Sequence, residues 1–327
     1  MDKRTTSDTP ETLIGAVRYF ADPDVALHFL AGLRWPEGPV CPHCGSAEAP
    51  SFLKTRRIWK CRDADCRKQF SVKVGTVFED SPIGLDKWLP CLWMIANCKN
   101  GISSYEVARA LGVTQKSAWF MLHRIRLAMQ TGTFGKIGGE VEVDETFIGG
   151  KARFMHKEKR ARVIGGKTGL AGKVAVIGVL KRADSDQHST VRASVIKSRS
   201  RVTLHGKIHE NVERGASVYT DAFDSYRGLA ADFDHGVVDH GFEYVKGKVH
   251  TNGLENFWSL LKRSLAGTYV SVEPFHMFRY LDEQVFRFNN RKTTDGSRFL
   301  MAARSIVGKR LTYKALIGAG LPALETC

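Results

Sequence analysis

The spacing of hydrophobic positions divides the chain into a helical first part and a strand-rich second part. Residues 22–35 place apolar side chains at helical intervals and predict a short amphipathic helix, which ends at the turn Trp35-Pro36-Glu37-Gly38-Pro39. Beyond Gly75 the spacing is helical again, with Trp88, Cys91, Leu92, Ile95 and Cys98 on one apolar face. Ser103-Ser104-Tyr105-Glu106 has the form of a capping box opening a helix that reaches Leu111. Gly112-Val113-Thr114 breaks it, and a second helix is expected over residues 115–129. A short helix, a glycine turn and a longer helix carrying Lys116, His123, Arg124 and Arg126 make a helix-turn-helix pattern, whose second helix enters a DNA major groove. An ordinary helical hairpin shares the same turn residues.

From Val141 the period becomes two. Residues 141–148 alternate and are β-branched, 174–180 form a continuous apolar run, and 191–196 and 217–220 are shorter strands. Helical stretches are expected at residues 204–212, 222–230 and 252–265. Strands followed by alternating helices and strands predict an α/β domain with a mixed sheet. Residues 151–173 hold eight Lys and Arg against one Glu, with glycines among them, as suits a basic insert facing phosphates. Apolar runs such as 174–180 are far short of the ~20 residues of a membrane helix, and the polar first residues lack the apolar core of an export signal. A cytoplasmic protein without a membrane partner is expected.

Four of the seven cysteines fall in two close pairs, Cys41-Pro-His-Cys44 and Cys61-Arg-Asp-Ala-Asp-Cys66, with 16 residues between them. Two knuckles at that separation close a tetrahedron of thiolates around one Zn²⁺. Four protein ligands leave no open coordination position, so this zinc is structural. Two disulfides are the alternative, disfavoured in a reducing compartment. His43, inside the first pair, is a weaker candidate ligand. Lys54, Arg56, Arg57, Lys60, Arg62, Arg67, Lys68 and Lys73, with Trp59 and Phe70 between them, give the expected ribbon a basic face. Cys91 and Cys98 read as core residues, and Cys327 is terminal.

Charge now adds a partner. The 327 residues carry 49 Lys and Arg against 34 Asp and Glu, a formal net charge of +15. Residues 1–140 hold 19 basic and 14 acidic side chains, so the excess runs through both parts of the chain and is not a basic tail. A long polyanion touching several segments fits that distribution.

Three acids stand out in so basic a chain. Asp144 interrupts the apolar strand Val143-Asp144-Glu145-Thr146-Phe147-Ile148, where an acid must be paired, protonated or metal-bound. Asp221 follows Val218-Tyr219-Thr220, at the carboxyl end of a strand where α/β sheets place their sites. Glu255 lies early in a helix that carries Lys262 two turns later on the same face, followed by Arg263. Carboxylates of this kind hold hard Mg²⁺ or Mn²⁺ and leave positions open for phosphate oxygens and water. A lone acid in any one of these places is more often a surface or capping residue; the three contexts together point to a two-metal phosphoryl-transfer site.

The chain resembles the DDE transposases of bacterial insertion sequences, in the group with an N-terminal zinc ribbon and a ribonuclease-H-like catalytic domain. The resemblance rests on Arg34-Trp35-Pro36-Glu37-Gly38-Pro39-Val40-Cys41-Pro42-His43-Cys44-Gly45, on Val143 to Lys151, and on Thr220-Asp221-Ala222-Phe223. It continues through His250-Thr251-Asn252-Gly253-Leu254-Glu255-Asn256-Phe257-Trp258-Ser259-Leu260-Leu261-Lys262-Arg263, Tyr280-Leu281-Asp282-Glu283 and Arg287-Phe288-Asn289-Asn290-Arg291-Lys292. It implies that Asp144, Asp221 and Glu255 are the catalytic, metal-binding acids, with two Mg²⁺ or Mn²⁺ ions. Asn252 is the alternative third position, or a DNA contact; Glu145 and Asp224 are neighbouring acids that a shifted alignment would select.

The implied activity is binding of terminal inverted repeats, metal-assisted cleavage of 3′ ends and their transfer to target DNA. Lys262, Arg263, Arg124, Arg126, Lys116 and Asn252 are the expected DNA contacts. The expected partners are double-stranded element ends and target DNA, together with a second copy of the chain, or more, in a synaptic complex on the bacterial nucleoid. Domains are expected as a helical lead over residues 1–36, a zinc ribbon over 37–75, a helix-turn-helix segment over 83–130, a catalytic domain over 138–300 and a tail over 301–327. A DNA-binding regulator with an inactive α/β domain, or a nuclease that does not join ends, are the rival readings.

Overall fold

A computed structural model describes residues 9–130, 135–149, 156–164, 172–238 and 248–319. The described residues form two compact units, one of residues 9–130 with 293–319 and the other between residues 135 and 292.

The first unit begins with α1 (Leu13–Phe20) and α2 (Pro23–Arg34). Asp22 caps α2 by accepting from the amides of Asp24 and Val25, with Pro23 in the first turn where its missing N–H costs nothing. The ribbon follows as an antiparallel sheet of β1 (Ser51–Leu53), β2 (Ile58–Lys60) and β3 (Gln69–Phe70), in register Phe52 to Trp59 and Trp59 to Phe70. Its small core is aromatic: Trp35 and Phe70 pack on Trp59. Then come α3 (Leu85–Asn97), α4 (Ser104–Leu111) and α5 (Gln115–Met129). The expected capping box of Ser103 and Glu106 is present, Gly112 closes α4 in the left-handed conformation, and Thr114 caps α5.

The second unit is a five-stranded mixed sheet. Its strands are β4 (Glu140–Ile148), β5 (Val174–Lys181), β6 (Thr190–Ile196), β7 (Ser217–Asp221) and β8 (Asp234–Val238). They stand in the order β6-β5-β4-β7-β8, with the first three antiparallel and β7 and β8 added parallel to β4. Within the basic insert lies α6 (Lys157–Ile164); the insert's residues 151–155 and 165–171, like Cys327, fall outside the described residues.

Both faces of the sheet are covered: β5 is apolar on both sides, whereas β4 turns Val141 and Val143 to one face and Glu142, Asp144 and Thr146 to the other. Val141, Val143, Ile177 and Val179 pack against Leu204 and Ile208 of α7 (Arg201–Asn211). On the other face Val176, Leu180 and Val191 pack against Leu254, Phe257, Trp258 and Leu261 of α8 (Asn252–Ser264) and against α9 (Met277–Asn289). The even-numbered side chains of β4 therefore face α8. The helix expected over 222–230 is instead two 3₁₀ turns, Asp224–Tyr226 and Leu229–Ala231, because Gly228 takes a left-handed conformation between them.

The chain then returns to the first unit. α10 (Asp295–Arg304) contacts α2, α3 and α5, and α11 (Tyr313–Leu316) follows. Phe299 is fully buried among Phe20, Phe29 and Trp93. Residues 293–319 thus complete the core of the first unit, where the sequence suggested the end of a catalytic domain and a tail. Enclosure by α3, α4 and α10 also buries the second half of α5: Arg124 is 4% and Arg126 1% exposed. The guanidinium of Arg124 donates to the Glu79 carbonyl and lies over the rings of Trp88 and Phe120 at 5.7 and 5.0 Å. The expectation that Arg124 and Arg126 face DNA is corrected by this burial; Lys116, on the first turn of α5, is exposed.

Candidate functional site

The four cysteines of the ribbon meet. Their sulfurs all lie within 4.8 Å of one another, with Cys41 to Cys66 at 3.8 Å and Cys44 to Cys61 at 3.6 Å. Tetrahedral thiolates with Zn–S bonds of about 2.3 Å are separated by about 3.8 Å, whereas a disulfide needs about 2.05 Å, so the cluster fits a structural zinc. His43 is not part of the cluster. Around it Lys54, Arg56, Arg57, Lys60, Arg62, Arg67 and Lys68 are exposed, whereas Lys73 turns inward and donates to the carbonyls of Ser81 and Ile83.

In the second unit an open cleft of about 440 Å³ lies between β4 and α8, lined by Asp144, Thr146, Glu255, Trp258, Ser259 and Lys262. Two periodicities bring these residues together. Asp144 and Thr146 are alternate residues of β4 on the face toward α8, and Glu255, Trp258, Ser259 and Lys262 recur at i, i+3, i+4 and i+7 along the helix. Asp221 ends β7 beside them. The parallel register pairs Glu142 with Tyr219, and continued by two residues it sets Asp144 level with Asp221. Asp221 accepts from the amide of Phe223 at 3.1 Å.

Burial, then the neighbouring charges of Glu145 and Asp221, push the Asp144 carboxyl up to about 7, against the opposing pull of the Trp258 indole and the Glu145 amide. Trp258 Nε1 donates to Asp144 Oδ2 at 2.9 Å. Glu145 points to the opposite face, where it accepts from Arg199 at 3.2 Å and from the Tyr226 hydroxyl; burial raises its pKa also. Asp224 is exposed and pairs with Arg227 at 2.9 Å. Neither neighbouring acid lines the cleft. Glu255 does, while Asn252 is exposed on the first turn of α8 outside the lining; Arg263 is exposed beyond Lys262. Among the described residues the four cysteines are the one group of three or more potential metal ligands whose atoms all lie within 4.8 Å of one another; the three acids do not form such a group.

Two supporting residues were not singled out in the sequence. Trp258 follows Glu255 by three residues, a helical neighbour that faces the same cleft. Gly178, paired with Asp144 across β4 and β5, lets α8 sit close: a Cβ there would lie 2.7 Å from both Leu254 and Trp258. Close approach of a neighbouring element, here the side chains of α8, is the signal a glycine inside an apolar strand carries.

Comparisons with known proteins agree with this organisation. Residues 136–289 match the family model of the ISXO2-like transposase domain, and residues 22–69 match that of the transposase zinc-ribbon domain. The chain is also similar to an uncharacterized protein in transposable element ISH50 of Halobacterium salinarum, at 28% identity over 258 residues, covering 76% of this chain and 85% of the relative.

Proposed function

The chain belongs to the insertion-sequence transposases that carry an N-terminal zinc ribbon, and from that premise we propose that it binds the terminal inverted repeats of its own element, cleaves their 3′ ends and joins them to target DNA. The observation that carries this reading is the shared cleft of Asp144, Glu255 and Lys262, with Asp221 at the end of the adjoining strand β7. The central β4, flanked by an antiparallel meander on one side and parallel strands on the other, supports a ribonuclease-H-like sheet.

Asp144, Asp221 and Glu255 are the residues that hold two Mg²⁺ or Mn²⁺ ions. The donor set fits: all the ligands are carboxylate oxygens, and Asp144 is a half-buried acid raised by burial and then by the like charges of Glu145 and Asp221, which a divalent cation would relieve. Such ions supply activation of an attacking oxygen and stabilisation of the leaving one in an in-line phosphoryl displacement. Trp258 Nε1 holds Asp144 Oδ2 and the Glu145 amide holds Oδ1 at 2.8 Å, so both oxygens are oriented, and each keeps a further lone pair for a cation. Glu255 is the third acid in this reading, because it lines the cleft and Asn252 does not. Lys262, on the same wall, holds a phosphate of the cleaved strand; Arg263 and Asn252 extend that contact along α8. Lys116 at the start of α5, acting as the second helix of a helix-turn-helix, and the exposed basic face of the ribbon recognise the duplex ends. Pairing two ends calls for two or more copies of the chain, acting at the nucleoid.

Purified protein, a labelled duplex taken from the DNA flanking its own coding region, a target plasmid and Mn²⁺ test the reading together. Nicked 3′ ends and joined products support it. Binding without cleavage indicates a regulator, and cleavage without joining a nuclease; either result overturns it.

A further inference from the structure

Helix α8 starts without a cap of its own: the Thr251 side chain makes no capping bond, and the amide of Leu254, three residues in, needs a partner. That partner comes from the sheet. Glu142 of β4, 1% exposed, accepts from the Leu254 amide at 3.1 Å through Oε2. Its other oxygen accepts from Arg182 Nε at 2.8 Å. The rest of the Arg182 guanidinium donates to the chain leading into the helix: to the Lys248 carbonyl at 2.7 Å, and to the carbonyl and Nδ1 of His250 at 2.8 and 2.9 Å. Its face lies over the Tyr219 ring of β7 at 4.4 Å. Room for the contact depends on Gly253, where a Cβ would stand 2.8 Å from Glu142 Oε2.

We propose that Glu142, held by Arg182, is a positioning residue that caps α8 from β4 and thereby sets Glu255 relative to Asp144. The placement carries the inference. Glu142 is two residues before Asp144 on the same face of one strand, and the amide it accepts from immediately precedes Glu255 in sequence. One buried carboxylate therefore ties the strand that bears the first acid to the turn that bears the third. A buried ion pair is a poor means of stabilising a core, since apolar side chains of similar size do as well or better. It is a good means of fixing register, because a capping carboxylate accepts only at one point on the helix. Arg182, reaching β7 through Tyr219, extends the same bracing to the strand that ends in Asp221.

This inference rests on the proposed metal site, and its test separates the two. Zinc-loaded full-length protein is compared with Glu142→Ala and Glu142→Gln in three measurements: amide exchange at Leu254, Mn²⁺ affinity by electron paramagnetic resonance, and cleavage of the labelled end duplex. Glu142→Ala should speed exchange at residues 252–256 at least tenfold, while the strands keep their protection, and should weaken Mn²⁺ binding by roughly tenfold, the scale of lost outer-shell support. Glu142→Gln, which keeps an oxygen acceptor, should recover part of both. Gly253→Ala, which crowds the same carboxylate and keeps every charge, should act in the same direction and serves if Glu142→Ala does not fold. Wild-type exchange at Leu254, or unchanged Mn²⁺ affinity, in the variant that folds overturns the proposal. Absence of cleavage by the wild-type protein refutes the transposition reading and leaves the cap to be decided by exchange and Mn²⁺ affinity.

Discussion

The indole Nε1 of Trp258 donates to Oδ2 of Asp144 at 2.9 Å, so the helix that carries Glu255 also holds the acid on the strand opposite. Replacing Trp258 with Phe keeps an aromatic ring in the core and removes the donor. The expected cost is about 1.5–3 kcal/mol in stability, the range for a hydrogen bond to a charged group, together with a fall in cleavage at unchanged DNA affinity. Thermal melts and single-turnover cleavage check both.

The raised Asp144 carboxyl makes the metal-free protein sensitive to pH. Its folded pKa, about 7, lies above the ordinary carboxylate value of 3.8, so its contribution to stability is complete below the ordinary value and is lost as pH rises through about 7. Between pH 4 and 8 without divalent ions, the wild type should lose stability relative to Asp144→Asn, by at most on the order of 4 kcal/mol. Added Mn²⁺ should reverse the loss at pH 8. Denaturant melts of both proteins across that range measure it, and parallel pH profiles would contradict it.

Gly178→Ala places a methyl group against Leu254 and Trp258 where 2.7 Å separates them from the Cβ position. Overpacking of this kind costs about 1–3 kcal/mol and should move α8 away from β4. Lower melting temperature and slower cleavage are expected, with zinc content unchanged.

Arg124 and Lys116 separate packing from recognition on one helix. Arg124→Ala should lower stability by about 2 kcal/mol or more, because it removes a buried guanidinium that bonds the Glu79 carbonyl and stacks on Trp88 and Phe120. Lys116→Ala should leave the melt unchanged, weaken DNA binding and reduce its salt dependence by about one phosphate contact. Melting curves paired with binding at several salt concentrations distinguish the two.

What could be read in the sequence is what short-range spacing determines. The caps at Ser103 and Thr114, the paired cysteines and the strands around Val143 and Val176 each depend on neighbours within a few residues, and each stands where expected. Arg124 and Arg126 looked like a basic helix face because α5 is buried by α3, α4 and α10 together, and the Glu79 carbonyl and Trp88 ring that Arg124 meets come from segments well before α5 in the chain. The short strand Asp234–Val238 has too few apolar residues to announce itself and forms by pairing with β7. Glu142 escaped notice for a similar reason: its partners, Arg182, Leu254 and, at 3.3 Å, His250 Nδ1, come from segments that only the fold assembles.

In the proposed function Asp144, Asp221 and Glu255 act as one metal-binding set. The most direct measurement is Mn²⁺-dependent 3′-end cleavage of the element's own terminal duplex by the wild type and by Asp144→Ala, Asp221→Ala and Glu255→Ala, with DNA affinity measured in parallel. Each substitution is expected to abolish cleavage while end binding stays close to that of the wild type. Cleavage at the wild-type rate by any one of the three would contradict the claim.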